Sequence, residues 1–321
     1  MTLILISALL SVLSVWWVYR LAPHIGLLDQ PNTRSSHAQP TPRGGGLGMA
    51  LAACGAGAWL GLDAALLLAL LAITLLGFWD DLYSLAPTVR FAAQAGIVTA
   101  WLMYGSWAPS LILIFVAGFL ALWWINLFNF MDGLDGLAAS EALFMLCAAA
   151  LIGHLLHPDL WAHSPIASWG LALAGAVLGF LWHNWPPARI FMGDAGSLFL
   201  GLSLFLMAVV ASDEGWLHLP AWLVLGALFI CDASVTLLRR LLARMPWWCA
   251  HRNHAYQHLA RRWKSHRRVV IAATSINGLI LLPLAFFTEQ YPNYAWVTVC
   301  CTYLIVSLAA LRLGAGMSDH A

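Results

Sequence analysis

The chain has 321 residues, of which 62% are hydrophobic and only 9% charged, and its mean hydropathy is +0.81. A soluble domain carries about 25% charged residues, so a soluble globular enzyme, a disordered chain and a nucleic-acid-binding module are excluded; a polytopic membrane protein remains. The net charge of +1 describes no face of the molecule, because the charges are segregated along the chain.

The apolar run Leu3–Tyr19 has no Lys or Arg before it and no small-residue cleavage site, and reads as a retained first span. Ten more candidate spans follow, near 45–62, 64–79, 91–105, 110–130, 137–156, 167–185, 198–212, 219–238, 269–288 and 293–313. Eleven alternating spans divide the loops into two sets. All 15 Lys and Arg, from Arg20 to Arg312, fall on one side, with 21–44, 80–90, 131–136, 186–197, 239–268 and the C-terminus. The other side holds only Asp63, Asp159, Asp213, Glu214 and Glu289. The positive-inside rule makes the first side cytoplasmic, the N-terminus external and the C-terminus internal. One all-α transmembrane domain, 1–321, is expected. Cys54, Cys147, Cys231, Cys300 and Cys301 lie in apolar stretches and Cys249 in the basic loop; they read as packing residues, without a CxxC pair.

The chemistry gathers in the inward loops. DQPNTRSSHAQPTPRGGG, 29–46, offers Arg34, His37 and Arg43 and then three glycines entering a helix, a cationic loop suited to phosphate. Asp80 and Asp81 are adjacent carboxylates at a membrane interface; they repel each other and are costly to desolvate, and a divalent cation offsets both. In NLFNFMDGLDGLA, Asn126, Asn129, Asp132 and Asp135 recur every three residues, one face if the segment is helical. Gly133 and Gly136 permit a tight turn or close backbone approach.

NWPPARIFMGDAGS places Asp194 between two glycines at a helix start, where free N–H groups favour an anion; Asp194 or Ser197 as a helix cap is the plainer alternative. The 239–268 loop interleaves nine Arg and Lys with Trp247, Trp248, Tyr256 and Trp263, as a segment lying on anionic headgroups would. His251, His254 and His258 recur at i, i+3 and i+7; phosphate contact or proton transfer suits them better than zinc, for no Cys or acid accompanies them. Asp232, the clear carboxylate within a span, is expected to pair with Arg239 or Arg240.

Taken together, PTPRGGG, the aspartates at 80–81, NFMDGLDGLA, FMGDAGS and HRNHAYQHL, in this order, resemble the polyprenyl-phosphate N-acetylhexosamine-1-phosphate transferases. HRNHAYQ and Glu141 look more like the O-antigen-initiating branch than the peptidoglycan phospho-N-acetylmuramoyl-pentapeptide transferase. The resemblance implies a multi-pass enzyme of the bacterial inner membrane. It would transfer a sugar-1-phosphate from a UDP-N-acetylhexosamine to undecaprenyl phosphate, releasing UMP, with Mg²⁺ or, in its place, Mn²⁺. A homodimer is expected by analogy. The resemblance also implies roles: Asp80, Asp81, Asn129, Asp132, His251 and His254 as catalytic residues; Arg43, Asp135, Asn184 and Phe191 as substrate-binding residues; Asp194 and Asp81 as metal ligands. A phosphate with a second pKa near 6 is already mostly dianionic at neutral pH, so the acids are expected to position the lipid phosphate more than to deprotonate it. A covalent phospho-aspartyl route is the alternative mechanism. From another class, a secondary transporter would put ionisable groups near the midplane and show paired broken segments.

Overall fold

A computed structural model of the chain describes residues 2–30, 40–104, 110–245 and 251–317. Arg34, His37, Trp247, Trp248 and Cys249 lie outside the described residues.

The fold is helical. Its α-helices are α1 (Thr2–Leu21), α2 (Gly45–Trp59), α3 (Ala64–Tyr83), α4 (Pro87–Tyr104), α5 (Leu111–Met131), α6 (Leu137–Leu156), α7 (Pro158–His163), α8 (Pro165–Asn184), α9 (Asp194–Asp213), α10 (Leu219–Leu225), α11 (Ala227–Leu242), α12 (Ala255–Trp263), α13 (His266–Ile276), α14 (Leu282–Gln290) and α15 (Ala295–Arg312). One departure from an all-α reading is a two-residue antiparallel pair, β1 (Leu28–Asp29) with β2 (Thr41–Pro42), in register Leu28↔Pro42 and Asp29↔Thr41. It closes the base of the loop between α1 and α2.

Every apolar run expected as a span is helical. Among the described residues, eight helical segments are long and apolar enough to cross a bilayer, or nine if the bent pair α10–α11 is one span. The shortfall from eleven has physical causes. Helix α2 has only 15 residues, about 22 Å at 1.5 Å per residue, less than a hydrocarbon core of about 30 Å. Helix α4 spans 18 residues but carries Arg90 and a buried Gln94. The run at 219–238 is not one straight span: it breaks at Gly226, with a 72° bend between α10 and α11. By contrast, α13 and α14 run on through one π-type turn, Asn277–Leu281, which accommodates Pro283 without ending the span.

Helix α9 sits at the centre, with 89% of its apolar window buried. Buried residues surround it on every side, Leu198, Phe199, Leu200, Leu202 and Leu204 among them, as expected for a helix that is hydrophobic all round. Around it stand α2, α3 and α5. Close packing at its N-terminal end depends on glycine. A Cβ on Gly46 would collide with the backbone of Gly196, and one on Gly77 with the backbone of Asp194. The small residues of PRGGG and GDAGS thus bring α2, α3 and α9 together at one end, and the acidic motifs lie there.

Candidate active site

The end of α3 delivers Asp80 and Asp81, both nearly buried. Asp81 accepts the backbone N–H groups of Asp194 (3.0 Å) and Ala195 (3.2 Å). A carboxylate from one helix therefore caps the N-terminus of another, 113 residues away. The first turn of a helix leaves N–H groups unpaired and carries partial positive charge, so an anion is favoured there. Neither Asp194 nor Ser197 is the cap: Ser197 lies inside the helix, its hydroxyl 3.3 Å from the Gly193 carbonyl. The capping residue, Gly193, has φ +74°, and a Cβ on it would strike the Asp81 carboxylate. The glycine before Asp194 is thus required twice, for its backbone angle and for its missing side chain.

Arg90, in the first turn of α4, donates from Nη1 to Asp80 (2.7 Å) and Asp194 (3.0 Å). Asp80 also accepts the Leu85 N–H at 2.7 Å. From α5, Asn129 donates to Asp194 (2.7 Å) and to the Ser197 hydroxyl (3.0 Å). The Arg43 guanidinium reaches the Asp81 carbonyl, with Nε 3.9 Å from the Asp81 carboxylate. Asp80, Asp81, Asp194, Asn129 and Arg43 therefore form one network.

The helical face expected through Asp135 is interrupted. Helix α5 ends at Met131, and Asp132 is its C-cap with φ −84° and ψ 48°. Asn126 points away from the cluster, to Gln94 of α4 (2.8 Å). Past the cap, the DGLDG loop turns sharply and hands over to α6 at Gly136, φ +73°. Asp132 remains beside the cluster. Burial, then the like charges of Asp194, Asp81 and Asp135, raise its pKa well above the ordinary carboxylate range. Asp135 turns to other partners, the Ala188 N–H (3.2 Å) and His266 (3.2 Å). The Asn184 amide is engaged on both sides: it accepts from the Gly136 N–H (2.8 Å) and donates to the Ile190 carbonyl (2.9 Å), pinning two loops. Phe191 is half-buried, and its backbone pairs with Pro42 and Gly45.

The histidines do not share one helical face. Helix α12 begins at Ala255, so His254 is its N-cap and His251 precedes it, while His258 faces Arg261 at 3.0 Å. Asp232 of α11 explains the local structure: its carboxylate accepts the N–H groups of Ala255 (2.8 Å) and Tyr256 (3.1 Å) and lies 3.6 Å from His254. Arg239 instead donates to the Ala315 carbonyl (3.1 Å). Nor is Asp232 alone within a span: Glu141 lies buried in α6, bonded to Asn277 at 2.5 Å. Tyr256 is buried rather than laid on the membrane surface, and its hydroxyl donates to Phe130 (3.0 Å). These bonds carry the His251–Tyr256 segment up to the end of α5. Burial, with His254 and Arg240 adding to it, lowers the His251 pKa to about 3, so its ring is neutral. Its Nδ1 is buried without a hydrogen-bond partner among the described residues.

A cavity of about 570 Å³ opens where these elements meet, lined by Arg90, Asn129, Asp132, His251, His254 and Tyr256 with several apolar neighbours. The Asp132 carboxylate on its wall, with the carboxylates of Asp194 and Asp81 close enough to act on it, offers hard oxygens that fit a divalent oxygen-seeking cation. Among the described residues, no three His, Cys, Asp or Glu side chains are arranged to hold an ion alone.

Sequence reasoning counted Arg90 only as inward charge. Its position as the one basic residue in the loop and first turn after Asp80 and Asp81 was the signal available.

Residues 64–212 match the family model described as glycosyl transferase family 4. The chain is 31% identical over 291 residues to the probable undecaprenyl-phosphate N-acetylglucosaminyl 1-phosphate transferase of Bacillus subtilis (strain 168), covering 83% of this chain and 79% of that one. It is 29% identical to the undecaprenyl-phosphate alpha-N-acetylglucosaminyl 1-phosphate transferase of Thermotoga maritima, over 96% of both chains. The phospho-N-acetylmuramoyl-pentapeptide-transferase of Mycobacterium sp. (strain KMS) is 36% identical, over 57% of this chain and 50% of its own length.

Proposed function

Because the chain belongs to the polyprenyl-phosphate N-acetylhexosamine-1-phosphate transferases, we propose that it transfers an N-acetylhexosamine-1-phosphate from a UDP-sugar to undecaprenyl phosphate, leaving UMP. One observation carries this reading: three carboxylates from two helices, Asp80, Asp81 and Asp194, converge beside a cavity lined by Asn129, Asp132, His251 and His254. The multi-pass chain sits in the bacterial inner membrane, and the reaction takes place at its cytoplasmic face. Eleven spans with the N-terminus outside, a single domain over 1–321, a homodimer and a role in starting O-antigen synthesis complete the proposal.

Asp194 and Asp81 would hold Mg²⁺, or Mn²⁺ in its place, Asp81 also ordering Asp194 through the α9 backbone and Asp132 standing beside them on the cavity wall. When bound, the ion screens the donor diphosphate so that a second phosphate can approach. The residues otherwise bind and orient. Asn129 fixes the Asp194 carboxylate. Neutral His251 lines the cavity, its buried Nδ1 without a partner among the described residues, and would give its ring N–H to phosphate. Arg43 enters from the PRGGG loop, and Asp135, Asn184 and Phe191 shape the neighbouring loops for the nucleoside. Both oxygens of Asp81 are occupied by backbone N–H groups, and those of Asp80 by Arg90 and Leu85. Such carboxylates are poor nucleophiles, which favours direct attack by the lipid phosphate over a phospho-aspartyl intermediate. Alignment of the two phosphates is then the main catalytic task.

The test is a transfer assay with purified protein, undecaprenyl phosphate, Mg²⁺ and a panel of UDP-sugars: N-acetylglucosamine, N-acetylfucosamine, N-acetylquinovosamine and muramoyl-pentapeptide. We expect lipid-linked sugar and UMP from one donor, abolished by EDTA, and an activity at least about 10²-fold lower in Asp194→Asn, the scale for losing one electrostatic contact to the transition state. No UMP from any donor, with folded protein, overturns the reading and favours transport. Inversion at a labelled phosphorus excludes the two-step route.

A further inference from the structure

Arg90 stands between two carboxylates that come from different helices. One of its nitrogens, Nη1, is 2.7 Å from Asp80 of α3 and 3.0 Å from Asp194 of α9, and the side chain is 23% exposed, on the cavity wall. Arg43, the other arginine of the network, does not bridge: it meets the Asp81 carbonyl and stays 3.9 Å from one carboxylate oxygen. Two like-charged groups on separate helix ends repel unless a cation lies between them. Here the side chain of α4 supplies that cation. A metal ion held by Asp194 would need a carboxylate oxygen there, and both are taken: Oδ1 accepts from Asn129 and Oδ2 from Arg90. The guanidinium and the ion would therefore compete for Asp194.

We propose that Arg90 is a resident counter-cation of the acidic cluster, holding Asp80 to Asp194 before the metal arrives and yielding its place when the metal binds. The proposal rests on the reading that the cluster takes a divalent cation. It makes Arg90 a positioning residue, and it makes metal affinity a net quantity, the metal's attraction less the cost of displacing an ion pair. The exchange needs no proton movement, because an arginine keeps its charge throughout.

The measurement is Mn²⁺ binding to the full-length protein in detergent, read by the Mn²⁺ electron paramagnetic resonance signal, with Mg²⁺ as competitor. We compare wild type, Arg90→Gln and Arg43→Gln. Each variant removes one positive charge, but only Arg90→Gln removes the bridge. We expect Arg90→Gln to bind Mn²⁺ about tenfold more tightly than wild type, within the usual range for coupled binding, and Arg43→Gln to change affinity by about threefold or less, the range of a partly exposed ion pair. The Arg90→Gln melting temperature should fall in EDTA and recover with Mn²⁺ further than wild type does. Equal affinity in Arg90→Gln and wild type, or equal tightening in both variants, overturns the displacement. No Mn²⁺ binding by wild type or either variant overturns the metal reading itself, a separate result. If Arg90→Gln alone does not fold, the same substitution is compared in an Asp80→Asn background, where repulsion is relieved; tighter binding there supports the proposal and unchanged binding overturns it.

Discussion

The molecule keeps buried carboxylates at both ends of its helices, and the two groups are built differently. At the end with no Lys or Arg, Glu289 accepts from His157 (3.1 Å), from the His218 ring (2.7 Å) and from the His218 backbone N–H (2.9 Å). Glu214, also at this end, accepts from Ser164 (2.5 Å) and Trp216 (2.8 Å). Both glutamates have donors of their own, and Glu289 ties the ends of α6, α10 and α14 together. At the other end Asp80, Asp81, Asp132, Asp135 and Asp194 crowd around Arg43, Arg90 and His266. Burial and the neighbouring Asp194, Asp81 and Asp135 push the Asp132 pKa up, no cation pairs with it among the described residues, and it lines a cavity. A satisfied buried acid holds a fold together; an unsatisfied group next to open space is prepared for a ligand.

This contrast can be broken from either side. The largest effect is expected at the unsatisfied end. Gly193→Ala forces a residue with a side chain into φ +74° and pushes a methyl into the Asp81 carboxylate, costing about 1–2 kcal/mol in the backbone alone. Because it displaces the Asp81–Asp194 contact, transfer activity should fall by about 10²-fold, the penalty for misplacing a catalytic group by roughly 1 Å. Activity within about threefold of wild type would mean that the cap does not position the site.

At the satisfied end the expected pattern is reversed. Glu289→Ala removes a buried acceptor that takes hydrogen bonds from His157, the His218 ring and the His218 N–H, which should cost about 1–3 kcal/mol of stability, read as a lower melting temperature in detergent. Transfer by the protein that remains folded should be unchanged. A loss of activity matching that of Asp194→Asn would erase the distinction between the two ends.

The smallest effect is a pH dependence. Folded His251 has its pKa lowered to about 3, against about 6.5 when unfolded. Below about pH 6.5 the unfolded chain binds the extra proton, so this contribution to stability is full above that pH and declines as the pH falls toward 3. The melting temperature of wild type should therefore drop between pH 7 and 5 more steeply than that of His251→Gln. Parallel slopes would remove His251 from the list of buried neutral groups.

Much of this was legible in the amino-acid sequence. Hydropathy is a property of neighbouring residues, so each membrane-length run could be read locally, and each proved helical. The same holds for the acids and amides around 80, 129, 132 and 194, since polar groups at the ends of apolar runs are conspicuous. What periodicity mispredicted were places where another helix intervenes. Asp132 looked like one more turn of helix, yet the chain leaves the helix there so that the DGLDG loop can meet Asn184 and Pro186. The local reading of Asp232 offered Arg239 or Arg240 as its partner and gave no sign that it caps α12. Gly226 looked like an ordinary residue in a span, yet the chain bends by 72° around it.

The sequence by itself determined a helical membrane chain with its acidic motifs collected at the basic end, because both features follow from composition over short windows. Only the tertiary structure decided which carboxylates are committed and which are free. Asp81 belongs to the N-terminus of α9, Asp80 and Asp194 share Arg90, and Asp132 faces the cavity. Those assignments depend on which helix ends meet. A carboxylate's partner is set by distances of about 3 Å in space, and residues 113 positions apart carry no local sign of them.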